Sequence, residues 1–208
     1  MKKILVATLF FIFSFSAFAA QPLVDAVWLK DNLKKVYVLD IRNELGKGSY
    51  DIFVQGHVPG SVHSDYLKDG WLTKSDITSG QLPPVKDLAQ LIGELGIKNK
   101  YHVVVVYGGV NTADFAGATS VYWTFKALGH DKVSILNGGY KAWEVSGFKI
   151  EKGDHYINRR HFKADHTDKY YTDAGEVIKT IKNNNIVLVK AEPAALMNGD
   201  SFLDLLKK

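Results

Sequence analysis

The sequence contains no cysteine among its 208 residues. This absence excludes disulfides, thiolate metal sites and every mechanism that needs a sulfur nucleophile on this chain. A strong excess of one charge is missing too, because 26 Lys and Arg stand against 22 Asp and Glu, a formal charge of +4. Without Lys2 and Lys3 the balance is 24 against 22, or +2. So small a net charge argues against nucleic acid as the main partner.

The sequence also lacks an apolar stretch of the ~20 residues that cross a bilayer. Its longest apolar run, Ile4 to Phe15, follows a basic start and precedes the small residues Ser16 to Ala20. This order is typical of a secretory signal peptide. We predict a signal peptide at residues 1–19, cleaved after Ala19, and a periplasmic or secreted protein with no stable membrane span. An uncleaved membrane anchor is the alternative.

Short apolar strands alternate with helical patterns between Leu23 and Ile150. Four consecutive valines at 103–106 are apolar at every position, which predicts a central strand covered on both faces. The alternation predicts an α/β domain at residues 20–150, with a central, mostly parallel sheet flanked by helices. The predicted strands run from 36 to between 40 and 42, from 102 to 107 and from 132 to 136. The predicted helices are 86–95, 115–128 and 137–145.

The periodic pattern stops after Ile150. Residues 151–170 are rich in charge, histidine and asparagine, which predicts a linker. A helical pattern at 174–181 and a strand pattern at 186–189 then open residues 171–208. This remainder is too short to complete a second domain, so we expect an incomplete one.

Three histidines of the predicted linker are the strongest metal candidates in the sequence. His155, His161 and His166 are separated by six and five positions, and no helix places such residues on one face. Histidine ligands of zinc usually show tighter spacing. We therefore predict no metal site, and nothing else in the sequence indicates a cofactor.

Several segments occur in the order typical of one family. Asp40-Ile41-Arg42 ends a predicted strand, and Phe53-x-x-x-His57-Val58-Pro59-Gly60 follows it. A closing segment runs from Gly129-His130 to Gly139-Tyr140-Lys141-Ala142-Trp143. As a set, these motifs resemble the rhodanese family, specifically its tandem-domain thiosulfate and 3-mercaptopyruvate sulfurtransferases. The resemblance implies a rhodanese-like fold. It also implies that this chain corresponds to the family's non-catalytic first domain followed by the start of a second domain.

The motif residues also have a physical interpretation as supports. Asp40 can accept backbone amide hydrogen bonds at the end of the strand, while Arg42 offers a forked donor to a carboxylate. His57 precedes a tight Val-Pro-Gly turn and can hold it by hydrogen bonding. We expect supporting roles for all three residues.

The resemblance fails at the residue on which the family's chemistry depends. Active members begin the loop after the central strand with a cysteine whose thiolate carries sulfur as a persulfide. The corresponding residue here is Gly108, and the loop continues through Gly109, Val110, Asn111 and Thr112. No serine or threonine can substitute, because an alcohol forms no persulfide. The resemblance therefore implies no catalytic residue on this chain.

Two functions stay open at this point. The first is a pseudoenzyme that binds a sulfur oxyanion such as thiosulfate, or a partner, because the loop from Gly108 to Thr112 can present backbone amides at the start of a helix. The second is a thiosulfate or mercaptopyruvate sulfurtransferase whose cysteine-bearing rhodanese domain is missing from this chain or supplied by a partner.

Overall fold

The structure, a computed structural model, describes residues 20–73, 82–154, 156–167, 169–172, 174–181 and 187. The strands are β1 (Leu23–Val24), β2 (Val36–Asp40), β3 (Val62–His63), β4 (His102–Val106) and β5 (Val133–Leu136). The helices are α1 (Ala26–Asn32), α2 (Tyr50–Gln55), α3 (Val85–Glu94), α4 (Thr112–Ala127), α5 (Gly139–Val145) and α6 (Ala174–Ile181). A 3-10 turn over Glu44–Gly46 follows β2.

The five strands form one parallel sheet in the order β1-β5-β4-β2-β3. The predicted α/β fold with a parallel central sheet is therefore confirmed. The valine-rich strand β4 lies in the middle, paired with β2 on one side and β5 on the other. Because all strands run the same way, the loops that follow β2 and β4 meet at one edge of the sheet.

The alternation of side chains along β4 explains its uninterrupted run of valines. Val103 and Val105 face a core that also contains α3 and α4, whereas Val104 and Val106 face a second core with α1 and α5. All four are fully buried. The sheet is thus covered on both faces, and each buried valine contributes on the order of 1.5–3 kcal/mol.

The helix predicted at 115–128 begins earlier than expected, at Thr112. The reason is the side chain of Asn111, which accepts a hydrogen bond from the Asp114 amide and so caps the first turn. The last residues predicted as loop are consequently the cap and the first turn of α4. Asp114 therefore belongs to the first turn of α4, next to the loop.

Between α5 and α6, the residues that the structure describes form no helix or strand apart from one bridge at Glu151. The predicted helix at 174–181 is present as α6. The predicted signal peptide at 1–19 lies outside the described residues, as does the predicted strand at 186–189 except for Val187. Within the described ranges, no helix has the length and apolar character to cross a bilayer.

Two histidines, His102 at the start of β4 and His130 shortly before β5, make the stability depend on pH. Burial lowers the pKa of His102 and of His130. The unfolded chain therefore binds more protons than the folded chain as the pH falls below ~6.5. We expect the free energy of unfolding to be highest above that pH and to decline from about pH 7.5 to about pH 5.5.

Urea unfolding at the two pH values, followed by tryptophan fluorescence, measures this decline. In the His102→Gln/His130→Gln double variant, the loss between the two pH values should be smaller than in the wild type, because neither glutamine takes up a proton. An equal loss in both proteins would contradict this assignment.

Candidate functional site

The loop after β4 occupies the position where parallel α/β sheets usually bind ligands, beyond the carboxyl end of a central strand. Gly108 is buried, Gly109 is half-buried and Val110 is 49% exposed. Asn111 and Thr112 are exposed at the start of α4. Of the five predicted loop residues, Gly108 to Asn111 thus lie in one short turn between β4 and α4, and Thr112 is the first residue of α4.

The backbone amides of this loop converge on the side chain of Asp114. The Gly109 amide donates to Asp114 Oδ2 at 2.8 Å, and the Val110 amide donates to the same oxygen at 3.4 Å. The Gly108 amide donates to Asp114 Oδ1 at 3.2 Å. Successive amides that point to one side form an anion-binding concavity. Here the anion is a carboxylate of the chain itself, and Asp114 is only 1% exposed.

Neighbouring residues hold Asp114 in this position. The cap made by Asn111 fixes the Asp114 backbone, and the Asn111 amide group donates to the Leu45 carbonyl at 2.7 Å. Gly46 leaves the space that the carboxylate fills, since a Cβ on Gly46 would lie 2.6 Å from Asp114 Cγ. The turn after β2 and the first turn of α4 therefore enclose Asp114 together.

The same packing leaves little room for a side chain at Gly108, the position that matches the family's cysteine. A Cβ there would lie 2.8 Å from Asp114 Oδ2 and 3.0 Å from the Gly46 carbonyl oxygen. Contacts this short require a neighbour to move. Glycine fits at position 108 beside Asp114 as it stands, whereas a cysteine there requires the carboxylate or the Gly46 backbone to shift.

Asp40 and Arg42 form a buried ion pair at the end of β2. Arg42 Nε lies 3.0 Å from both Asp40 carboxylate oxygens, and Arg42 Nη2 lies 3.0 Å from Oδ2. Nη2 also donates to the Gly56 carbonyl at 2.8 Å. The residues are 0% and 2% exposed. Removing one partner of such a pair leaves an uncompensated buried charge, which typically costs about 3–5 kcal/mol.

Tyr140 connects this ion pair to the loop. The Arg42 guanidinium carbon lies 4.0 Å from the centre of the Tyr140 ring, and the Tyr140 amide donates to the Tyr107 carbonyl at 2.7 Å. Burial, above all, raises the pKa of both tyrosines, and for Tyr107 the charge of Asp114 acts in the same direction. Both phenols therefore stay neutral near pH 7, and neither supplies a base beside the loop.

His57 lies apart from the loop, at the turn after α2. Its ring stacks on Phe53 with centroids 4.1 Å apart, and Nδ1 is 3.0 Å from the Phe53 carbonyl. Its backbone pairs with Glu151, whose carboxylate Oε2 lies 3.9 Å from His57 Nε2. The structure thus places His57 between α2 and the segment that follows α5, where it joins the two.

Asp114 was not predicted as a site residue from the sequence. The pattern Asn111-x-x-Asp114 at a predicted strand-to-helix junction does indicate a helix cap with an acidic first turn. It does not show that the carboxylate turns back onto the loop amides. The predicted roles of the loop and of Asp40, Arg42 and His57 stay predictions, now with defined geometry.

The described residues elsewhere in the chain form no metal centre. No group of three or more His, Asp or Glu residues within the described ranges is arranged to hold a metal ion. His155, one of the three histidines considered above, lies outside those ranges. Cavities of about 390 and 350 Å³ occur elsewhere, and neither is lined by loop residues.

Comparisons with known proteins agree with this architecture. The family model of the Rhodanese-like domain matches residues 25–146. A Mycobacterium leprae protein provisionally named a thiosulfate sulfurtransferase is 30% identical over 175 residues, which are 83% of this chain and 58% of that protein. The thiosulfate sulfurtransferase of Gallus gallus is 29% identical over 147 residues, 71% of this chain and 50% of that protein. The chain thus spans only about half the length of these relatives.

A solved structure shares the fold. The 3-mercaptopyruvate sulfurtransferase SseA from Escherichia coli superimposes with a TM-score of 0.71 at 22% identity, over 87% of this chain and 69% of that one. At this level of identity the likeness concerns the fold alone.

Proposed function

The chain belongs to the rhodanese family, and from this premise we propose that it is an exported, non-catalytic module that binds a cysteine-bearing sulfurtransferase domain. Family chemistry requires a thiolate that is alternately loaded with sulfur and unloaded. This chain has no cysteine. It therefore contributes binding and not transfer.

The observation that carries this proposal is the occupation of the loop by Asp114. Backbone amides at this position would stabilise the negative charge of a thiolate or persulfide in an active relative. In this chain they donate to a buried carboxylate instead, at 2.8–3.4 Å. The three loop amides thus have hydrogen-bond acceptors without any bound sulfur species. This is expected of a domain that keeps the fold for binding.

The surface around the loop suits a protein partner. Leu45, Val110 and Phe115 are 36%, 49% and 37% exposed. Val110 is in the loop, Phe115 follows Asp114 and packs on Tyr107, and Leu45 is joined to the loop through Asn111. Apolar side chains grouped around a site are a common feature of protein interfaces. A cysteine-bearing rhodanese domain is the partner proposed, because the longer relatives carry the name of sulfurtransferases.

A binding experiment tests the proposal. The chain without residues 1–19 and a cysteine-bearing rhodanese domain from the same organism are mixed and followed by analytical ultracentrifugation. We expect a complex, and we expect Val110→Asp to weaken it by at least about tenfold, since a buried charge at an interface centre costs more than 1.4 kcal/mol. The control is Val27→Asp, which adds the same charge at a residue 57% exposed on α1.

The outcome that contradicts the proposal is the absence of a complex, or equal weakening by both substitutions. Thiosulfate-to-cyanide transfer is measured in the same mixtures. A rise in the partner's rate on complex formation would favour the second function, a sulfurtransferase completed by two chains.

The loop geometry also favours a second ligand, a sulfur oxyanion such as thiosulfate. Amides that donate to the Asp114 carboxylate have the polarity and spacing to bind another anion. Such an oxyanion has to displace Asp114, so we expect the wild-type loop to bind it only weakly.

A further inference from the structure

The segment after α5 crosses the outer side of α3 in a defined position. The Arg160 amide donates to the Gly93 carbonyl at 2.7 Å. A Cβ on Gly93 would lie 2.4 Å from the Arg160 carbonyl oxygen, so the two backbones touch because Gly93 has no side chain. Phe162 is 3% exposed and belongs to the core on that face of the sheet. The path of residues 159–162 along α3 is therefore fixed by backbone contact and by burial.

A groove of about 390 Å³ lies between this segment and α3. Its volume falls within the range of small-ligand sites, roughly 300–1,000 Å³. Its polar lining consists of Lys86, Gln90 and Glu94 from α3 and of Arg159, Arg160 and His161 from the crossing segment.

The charges in the groove are unbalanced. Lys86, Arg159 and Arg160 carry three positive charges, whereas Glu94 is the one carboxylate of the lining. Glu94 accepts a hydrogen bond from the Gln90 amide group at 3.1 Å. Among the described residues, no salt bridge is recorded for any of the three cations. An anion bound in the groove would be attracted by the positive charges of its lining.

The two neighbouring arginines decide the type of ligand. A guanidinium presents parallel N–H donors that match the oxygens of phosphate or sulfate, and two such groups together can hold one oxyanion from two sides. We propose that the groove between α3 and residues 159–162 is a binding site for a small oxyanion, phosphate or sulfate in type. This site is separate from the loop after β4 and independent of the proposed function.

Inorganic phosphate is the probe that tests the site. The chain without residues 1–19 is titrated with phosphate at constant ionic strength set by chloride, and the backbone amide signals of Gln90 and Phe162 are followed by NMR. We expect saturable shifts at these residues. Arms with sulfate and thiosulfate show which oxyanion the groove prefers.

The Arg159→Gln/Arg160→Gln variant should bind phosphate at least tenfold more weakly. Its backbone contact with Gly93 is retained, and an unchanged urea midpoint verifies its folding. The matched control, Lys30→Gln/Lys34→Gln, removes the same charge on and directly after α1 and should bind like the wild type. Absence of saturable binding, or equal loss in both variants, would overturn the proposal, because equal loss would indicate only a general attraction by net charge.

Discussion

Gly108→Cys alone is expected to leave thiosulfate-to-cyanide transfer at background, whereas Gly108→Cys/Asp114→Ala produces thiocyanate. In the single variant the new Cβ would lie 2.8 Å from Asp114 Oδ2, and the sulfur is attached to this Cβ. A neighbouring carboxylate raises the pKa of a thiol and disfavours the nucleophilic thiolate. The loop amides also stay engaged with Asp114. The second substitution removes the carboxylate, so that the loop amides are free to donate hydrogen bonds to the sulfur.

The reaction expected of the double variant balances without a further reagent. The thiolate displaces sulfite from thiosulfate and becomes a persulfide, and cyanide then removes the outer sulfur as thiocyanate and restores the thiolate. One amide donor of this kind is typically worth about 10²–10³ in rate. We therefore expect the double variant to exceed the single variant by at least about 10².

Gly108→Ser/Asp114→Ala is the matched control for this experiment. It has the released amides and a side chain of similar size, but an alcohol forms no persulfide, so it should stay at background. Equal rates in the two cysteine variants would contradict the role assigned to Asp114.

Asp114→Ala by itself should destabilise the chain and make it respond to sulfur oxyanions. Three loop amides lose their acceptor, and leaving the buried Gly108 donor unpaired costs about 1–3 kcal/mol in the free energy of unfolding. An oxyanion that binds in place of the carboxylate stabilises the variant by about 2.7 kcal/mol at a concentration 100-fold above its Kd, which is comparable to this loss. Urea unfolding with and without thiosulfate measures both effects.

The comparison that matters is the stabilisation by thiosulfate in Asp114→Ala relative to the wild type. Binding in the groove beside α3 raises the stability of both proteins alike and cancels in this difference. Asp114→Asn serves as the conservative variant, since its side chain keeps an acceptor oxygen for the amides without the charge, and it should lose less stability. Equal stabilisation of the wild type and Asp114→Ala would contradict the occupied loop.

The main elements of the fold were predictable because each one carries its own local pattern. The valine run of β4 indicated a strand buried on both faces, and the structure confirms it. The strands β1 and β3 were not predicted, because each has two residues and exists only through pairing with distant segments. Two residues are too few to show a period.

The candidate site was predictable only in part, for a related reason. Gly108 could be placed by counting from the end of a recognisable strand. The carboxylate of Asp114 could not be assigned, because its position depends on Gly46, which belongs to a different loop and supplies space and no chemical group. Sequence spacing indicates which groups are present, and packing decides which of them meet.

The backbone amide signals of Gly108 and Gly109, followed by NMR during a thiosulfate titration of the wild-type chain, test the central claim most directly. Because the Asp114 carboxylate holds these amides, we predict that their signals stay in place over a range of thiosulfate that saturates Asp114→Ala. Saturable shifts of both signals in the wild type over that range would contradict the account, since they would show the loop free to bind an external anion.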